Sequence, residues 1–543
     1  MMQSRCTTDD LWCRSSSPNG GRRIGVATGV LAAMLAVSNC GTRAPDPGSE
    51  AAATRDGRPN ILFIFADDHA YQALSAYGSG LNQTPNLDRI AAQGLRFDRA
   101  LVTNSICAPS RAVVLTGKYS HLNGVLDNEL AFDGSQQTFP KLLQGAGYET
   151  AAFGKWHLKS EPTGFDRWEV LPGQGNYYNP DLRTPGGTIR RHGYVTDVVT
   201  DLAIDWMQQE RNTERPFFMW LGHKAPHRNW MPGPDQLDLY ADETMPEPPT
   251  LFDDYAGRAS PAANQEMEID RHMTLLTDLK VAPADDNTPE WEVPYWARLL
   301  DRFTPAQREA WESAYGPRNE AFRAAGLQGR ELVRWKYQAY VKDYLRTIAA
   351  VDNSVGRVLD FLDSSGLSDN TIVVYSSDQG FYLGEHGWFD KRWIYEESLR
   401  TPLLVRWPGA IDAGATNDSL VSNLDFAPTF LEAASVEIPS DMQGDSLLPL
   451  LRGEQPVGWR QSFYYHYYES LVTHRVPEHY GVVTERYKLV RYPITDEWEL
   501  FDRQQDPTEL DSRYGDPAYS EIQAQLASEL ERLRDDLQAE VDR

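Results

Sequence analysis

From residue 59 onward, short and wholly apolar runs alternate with longer stretches of helical periodicity. Asn60-Ile61-Leu62-Phe63-Ile64-Phe65, Thr150 to Phe153, Pro216 to Leu221 and Thr371 to Tyr375 are continuous enough to be strands buried on both faces. Helical patterns cover 86–93, 136–146, 195–210 and 331–365. This alternation predicts an α/β domain with a large, mostly parallel mixed sheet flanked by helices. Each apolar run stops abruptly in polar residues: Asp67-Asp68-His69, Gly154-Lys155-Trp156-His157, then His223, Lys224 and His227, and Ser376-Ser377-Asp378-Gln379-Gly380. Open parallel sheets bind ligands just past the carboxyl ends of their strands. Four runs that discharge acids, histidines and lysines imply one shared site on one sheet edge.

The pattern changes elsewhere. Residues 240–330, rich in Pro, acids and Trp, read as an irregular elaboration over the sheet that shapes a cleft. After Leu450, 462–468, 480–484, 487–492 and 498–501 read as short antiparallel strands, and Ile522, Leu526, Leu530, Leu533 and Leu537 form one helix stripe. Together they predict a smaller C-terminal antiparallel sheet with a helix. At the other end, Arg22–Arg23 precede the apolar run Ile24 to Val37, too short to span a membrane and suited to the core of an export signal. Ala36-Val37-Ser38 suits a signal peptidase. Val37-Ser38-Asn39-Cys40 resembles a bacterial lipoprotein box, with Asn39 where a small Gly or Ala is usual, and makes a lipid anchor at Cys40 the one route to a membrane. The expected division is an export signal at 1–40, a flexible linker at 41–58, the large α/β domain at 59–455 and a C-terminal subdomain at 456–543. The expected location is the periplasm or the cell surface of a bacterium.

Charge and cysteine usage narrow the chemistry. With 78 Asp and Glu against 52 Lys and Arg, the 543 residues carry a net charge of -26, which excludes nucleic acid as a partner. An anionic ligand is still accommodated by a local basic pocket, because distant surface charge is screened beyond about 10 Å at moderate salt. Of the four cysteines, Cys6, Cys13 and Cys40 precede the folded region, which leaves Cys107 with no internal disulfide partner.

Cys107 lies in Asn104-Ser-Ile-Cys-Ala-Pro-Ser-Arg-Ala-Val-Val-Leu-Thr-Gly117. Pro109 suits a first helical turn and Gly117 a helix stop, so Cys107 is placed at a helix N-terminus, where an anion is favoured. The string C-x-P-S-R followed by x-x-x-L-T-G resembles the signature of the formylglycine-dependent (type I) sulfatases of the alkaline-phosphatase superfamily. That resemblance implies that a formylglycine-generating maturase oxidises Cys107 to formylglycine (3-oxoalanine), whose hydrated aldehyde is the nucleophile.

Asp67, Asp68, Asp378 and Gln379 offer only hard oxygen donors. Three adjacent carboxylates need a cation, and such donors favour calcium or magnesium over zinc. The resemblance implies one divalent ion, calcium before magnesium, shared with the converted Cys107; Gln379 stands where the family often has Asn. It further implies that Arg111 holds the nucleophile, that Lys155 and His157 in G-K-W-H contact the sulfate, and that Lys391 in W-F-D-K-R-W does so from downstream. His227 in H-K-A-P-H-R-N-W then serves the leaving group, with His223 a second candidate. In the implied reaction Asp378 takes a proton from one hydroxyl, which attacks sulfur. His227 protonates the departing alcohol, and His157 deprotonates the other hydroxyl to expel sulfate. The text D-Q-G-F-Y-L-G-E-H-G-W-F-D-K-R-W with Y-E-E-S-L-R-T-P-L-L-V resembles bacterial N-acetylglucosamine-6-sulfatase-like and other polysaccharide sulfatases. A sulfated oligo- or polysaccharide is therefore the expected substrate. Glu385, His386 and Arg392 are candidate sugar contacts, as are Trp388, Trp393, His466 and His479. Two rivals stay open on sequence: a phosphate or phosphonate monoester hydrolase of the same superfamily, and a non-catalytic surface glycan-binding protein.

Overall fold

The computed structural model describes residues 57–539. The expected export signal, the Cys40 anchor and nearly all of the linker lie outside the described residues. In chain order the first strands are β1 (Asn60–Ala66), β2 (Leu95–Leu101), β3 (Glu149–Lys155), β4 (Arg167–Leu171), β5 (Asp181–Thr184), β6 (Gly187–Arg190), β7 (Phe217–Gly222) and β8 (Thr371–Ser377). A two-stranded ribbon follows, β9 (Tyr382–Leu383) with β10 (Phe389–Asp390), and then β11 (Arg400–Arg406), β12 (Ala415–Asn417) and β13 (Val421–Ser422). Apart from the ribbon these build an 11-stranded sheet in the order β12-β2-β11-β8-β1-β7-β3-β4-β5-β6, with β13 also on β2. The middle, β8-β1-β7-β3-β4, is parallel throughout, while β11 is antiparallel to both β8 and β2.

The continuous apolar text of β1 has a two-faced cause. Ile61, Phe63 and Phe65 pack into one core cluster, with Phe426 and Phe430 from a helix beneath the sheet. Leu62, Ile64 and Ala66 pack into the other, with Val351 and Val355 of the 36-residue helix Gly329–Ser364. With side chains alternating between faces, only an uninterrupted apolar run satisfies both.

Two features differ from the sequence expectation. Strands β2 and β11 carry Arg96, Asp98, Arg99 and Pro402, and this polar content hid them. Residues 240–330 are also not irregular throughout, for they contain the helices Glu292–Leu300 and Pro305–Ala325. The second starts at a capping box in which Thr304 and Gln307 satisfy each other's backbone N–H, with Pro305 at the first helical position. That T-P-x-Q signal was legible; Pro317 inside the helix broke the pattern around it.

The C-terminal sheet is antiparallel: β14 (Ser462–Tyr467), β15 (His479–Thr484), β16 (Tyr487–Tyr492) and β17 (Glu497–Asp502). The helix Ser520–Asp536 covers it through Leu526 and Leu530. This sheet braces the Cys107 segment, as His466 N–H donates to the Thr103 carbonyl (3.0 Å) and Ser105 N–H to the Tyr465 hydroxyl (3.3 Å).

Candidate active site

Four neighbouring parallel strands end together. Ala66 pairs with Ser377, Phe65 with Gly222, and Gly154 with Gly222, so the residues that follow β1, β8, β7 and β3 emerge side by side. The close approach of β3 to β7 needs glycine at 154: its φ is +91°, and a Cβ there would stand 2.0 Å from the Gly222 carbonyl oxygen. Asp68 adopts a left-handed backbone (φ 68°), uncommon for a non-glycine residue. Its turn is held by three bonds. Asp68 N–H donates to Asp378 Oδ1 (3.0 Å), the Tyr344 hydroxyl donates to the Asp68 carbonyl (2.6 Å), and Ala70 N–H donates to the Tyr344 oxygen (2.8 Å).

Cys107 begins the helix Cys107–Thr116 and is fully buried. Gln379 Nε2 lies 3.7 Å from its Sγ. Arg111, one turn along, sends Nε and Nη2 to Asp378 Oδ2 (3.0 and 2.8 Å) and Nη1 to the Lys155 carbonyl (3.2 Å), and lies 3.4 Å from Asp67 Oδ1. Lys155 Nζ is 2.6 Å from Asp67 Oδ2, Lys391 Nζ is 2.8 Å from Asp68 Oδ2, and His227 Nε2 is 3.8 Å from that same oxygen. Three carboxylates are thus matched by three buried cations.

The electrostatics are those of charges removed from water. Burial alone raises the Asp67 carboxyl, but Lys155, His227 and Arg111 overcome it and hold the group well below the usual range. Burial pushes Asp68 up to about 6 against the pull of Lys391, and raises Asp378 well above its ordinary value despite Arg111. His157, buried beside Lys155, is lowered to about 2. The Cys107 thiol is pushed well up by burial, which Lys391 only partly opposes and Asp67, Asp378 and Asp68 reinforce. A thiol held protonated in this way is a poor nucleophile as it stands.

The residues fit a divalent cation. Asp67, Asp68 and Asp378 each offer an oxygen, all within 4.8 Å of one another. Gln379 Oε1 is buried and accepts no hydrogen bond. An all-oxygen donor set suits a hard ion.

The structure brings Asp67, Asp68, Cys107, Arg111, Lys155, His157, His227, Asp378, Gln379 and Lys391 together. It does not bring His223, whose ring is buried with Nε2 3.3 Å from Ser354 Oγ on the long helix. Glu385 sits in the β9–β10 turn and accepts from Gln72 Nε2 (3.2 Å) and Leu383 N–H (2.5 Å). His386 is buried between Asp253 and Glu397, beside Trp388. Arg392 is buried on Glu469 (2.6 Å) and the Tyr467 hydroxyl (3.1 Å). Trp388 and Trp393 stack in the core (5.3 Å), and His466 stacks on Tyr468 (3.7 Å). His479 is enclosed by Trp393, Tyr465, Tyr467 and Tyr492. The sequence places Lys224 at the strand end beside the two histidines of H-K-A-P-H but gives it no specific role. Its ammonium sits 4.7 Å from the Tyr177 ring centre in the wall of a cleft of about 700 Å³ that also includes His227, and burial lowers it to about 7. Gln174, which accepts a hydrogen bond from Lys155, carried no sequence signal at all.

A buried cysteine at a helix start, a carboxylate cluster and matching lysines on the edge of this sheet define a sulfuric ester hydrolase, and the chain belongs to the sulfatase family. The sulfatase family model matches residues 59–436, and that of the N-sulphoglucosamine sulphohydrolase C-terminal region matches residues 384–536. The chain is 49% identical over 483 residues to an N-acetylglucosamine-6-O-sulfatase of Bacteroides thetaiotaomicron, covering 88% of this chain and 86% of that one. It is 30% identical to the N-acetylglucosamine-6-sulfatase of Homo sapiens, over 76% of this chain and 67% of the human one. Its fold matches the solved structure of BT4656 in complex with its substrate D-glucosamine-2-N,6-O-disulfate, with a TM-score of 0.86 and 48% identity over 89% of this chain and 98% of that one. The large mixed sheet with a small antiparallel C-terminal sheet is the alkaline-phosphatase-like fold of sulfatases.

Proposed function

We propose that this sulfatase removes 6-O-sulfate from N-acetylglucosamine or glucosamine residues of sulfated saccharides, with Cys107 matured to formylglycine and calcium in the carboxylate cluster. The observation that carries the chemistry is the meeting of the Asp67-Asp68 pair with Cys107 and Asp378, three separate stretches of sequence that converge on one buried point. The named substrates of the 49% identical relative and of the matching structure support the sugar.

Asp67, Asp68, Asp378 and Gln379 hold the ion. When bound, it supplies positive charge to the sulfuryl oxygens, and matured Cys107 supplies the attacking hydroxyl. Arg111 fixes Asp378 through two N–H donors, so that its carboxylate is oriented to receive the hydroxyl proton. Lys155 and Lys391 point their ammonium groups into the same buried space and bind the sulfuryl oxygens as charge builds on them. His227 donates Nδ1–H to the Arg228 carbonyl (2.7 Å), so Nε2 carries a transferable proton only when the ring is an imidazolium; in that form Nε2 hands the proton to the departing sugar oxygen and the ring is reprotonated from solvent. His157 Nδ1, buried with no hydrogen-bond partner, takes up the second proton of the turnover.

Export, and a formylglycine-generating maturase as partner, belong to the same proposal and rest on the Arg22–Arg23 and Ile24 to Val37 text and on the C-x-P-S-R motif. Anchoring at Cys40 rests on the lipoprotein-like text and is read by labelling with a fatty-acid analogue. The deciding experiment co-expresses the chain with such a maturase, measures the mass of the Cys107 peptide, and assays sulfate release from 6-sulfated N-acetylglucosamine beside an aryl phosphonate ester. Sulfate release with a matured peptide is expected. An unmodified thiol in active protein, or faster phosphonate cleavage, overturns the reading. Cys107→Ser lacks the second hydroxyl that expels sulfate, so it is expected to stop after at most one turnover.

A further inference from the structure

The cleft above the site extends past the reactive groups. Lys224 and His227 form part of its lining, Lys224 buried with 4% exposure and His227 largely covered, its side chain 12% exposed. Trp291 lines the same cleft and is 58% exposed, the only described tryptophan in the exposed class. This gradient in burial makes the first pair the floor and Trp291 the rim. An indole left in water at a cleft mouth forgoes the burial that normally pays for a tryptophan, so its place calls for a ligand.

Trp291 is also held firmly. It immediately precedes the helix Glu292–Leu300. Buried Glu292 accepts from Thr277 N–H (3.1 Å), and Trp296 packs on Trp311 (6.1 Å). The Tyr295 ring lies 6.2 Å from the Trp291 ring, and its hydroxyl donates to Asn229 Oδ1 (2.9 Å), which fixes a second aromatic surface at the rim. A flat apolar face beside a ring with a polar tip suits the face of a pyranose, whose axial C–H groups stack while its hydroxyls stay wet.

We infer that Trp291, with Tyr295, forms a subsite for the sugar residue adjoining the sulfated one, so that the enzyme selects oligosaccharides over monosaccharides. This rests on the saccharide reading above. When the sulfated residue puts its ester at the buried floor, the next residue in the chain lies at the exposed rim, where Trp291 stacks on it. Trp291 is a specificity residue and touches no reacting atom.

The test compares kcat/KM on 6-sulfated N-acetylglucosamine and on a tetrasaccharide containing the same sulfated residue, for wild type, Trp291→Ala and Trp291→Phe. Wild type is expected to favour the tetrasaccharide. Trp291→Ala is expected to lose about ten-fold on the tetrasaccharide, the scale of one good aromatic contact, and less than about two-fold on the monosaccharide. Trp291→Phe should restore most of the loss, with the melting temperature unchanged in both variants. Equal losses on both substrates, or no loss on either, overturn the subsite and leave the saccharide reading standing. A matured wild-type enzyme that releases sulfate from neither compound overturns both.

Discussion

Arg111 is the residue whose removal most directly tests the charge balance of the site. Its guanidinium is completely buried, with Nε and Nη2 on Asp378 and Nη2 3.4 Å from Asp67. It also lies over the Phe65 ring at 5.1 Å. Arg111→Met keeps the apolar stem and leaves three carboxylates facing only Lys155 and Lys391. Two unit charges at such separations attract by about 4 kcal/mol at an effective dielectric near 20, and breaking a buried pair typically costs about 3–5 kcal/mol. For a folded region of roughly 480 residues the unfolding entropy is about 1 kcal/mol/K, so the expected fall in Tm is about 3–5 °C. Turnover is expected to drop by about 100–1,000-fold, the usual effect of losing one oriented donor in such a site. Arg111→Lys retains the charge but not the two-pronged fork, and should recover part of the Tm and little of the rate. Scanning fluorimetry and sulfate release on the three proteins, prepared side by side with saturating metal, read both quantities. If Arg111→Met melts within about 1 °C of wild type and turns over normally, the guanidinium is not what holds Asp378 in place, and the reasoning fails.

Three further outcomes follow from the same structure. Gly154→Ala, with φ +91° and the Gly222 oxygen 2.0 Å from the new Cβ, should lower Tm and soluble yield sharply, whereas Gly124→Ala, at φ +80° in open space, should cost only about 1 kcal/mol. Buried His479 is neutral, its Nδ1–H on the Pro477 carbonyl (2.9 Å) and its Nε2 accepting from Ile394 N–H (3.1 Å), and burial lowers its pKa to about 3. The unfolded state binds this proton first, so the stabilisation is complete above about pH 6.5 and is lost as pH falls toward 3, by about 2 kcal/mol at pH 5. A Tm series from pH 7 to pH 5 should therefore slope less steeply in His479→Gln than in wild type, and equal slopes refute the assignment. Chelation should abolish sulfate release and lower Tm, with calcium restoring both better than magnesium; activity that survives exhaustive chelation removes the metal from the reaction.

The local text determined a good deal by itself. The apolar runs of β1, β7 and β8 and the shorter one of β3 announced a sheet buried on both faces, because side chains that alternate between two covered faces must be apolar in succession. The Cys107 segment declared its helix through Pro109 and Gly117, and its chemistry through C-x-P-S-R. The acids at 67, 68 and 378 were recognisable because each follows such a run. What the text could not supply was every relation that depends on distance across the fold. His223 and His227 look equivalent in H-K-A-P-H, yet the chain turns so that one ring meets Ser354 on the long helix and the other meets Asp68. The text puts Lys224 at the strand end with the two histidines but attaches no role to it, and only burial and the Tyr177 ring assign it to the cleft wall. His386, Arg392 and His479 read as candidate sugar contacts, and the fold sets them against Asp253, Glu469 and the Ile394 N–H, each more than 70 residues away in sequence. Local sequence fixes which residues leave the ends of the strands, because periodicity and turn chemistry act over a few residues. Which of those side chains meet is decided by strand order and helix packing, and these are settled by burying the whole core at once.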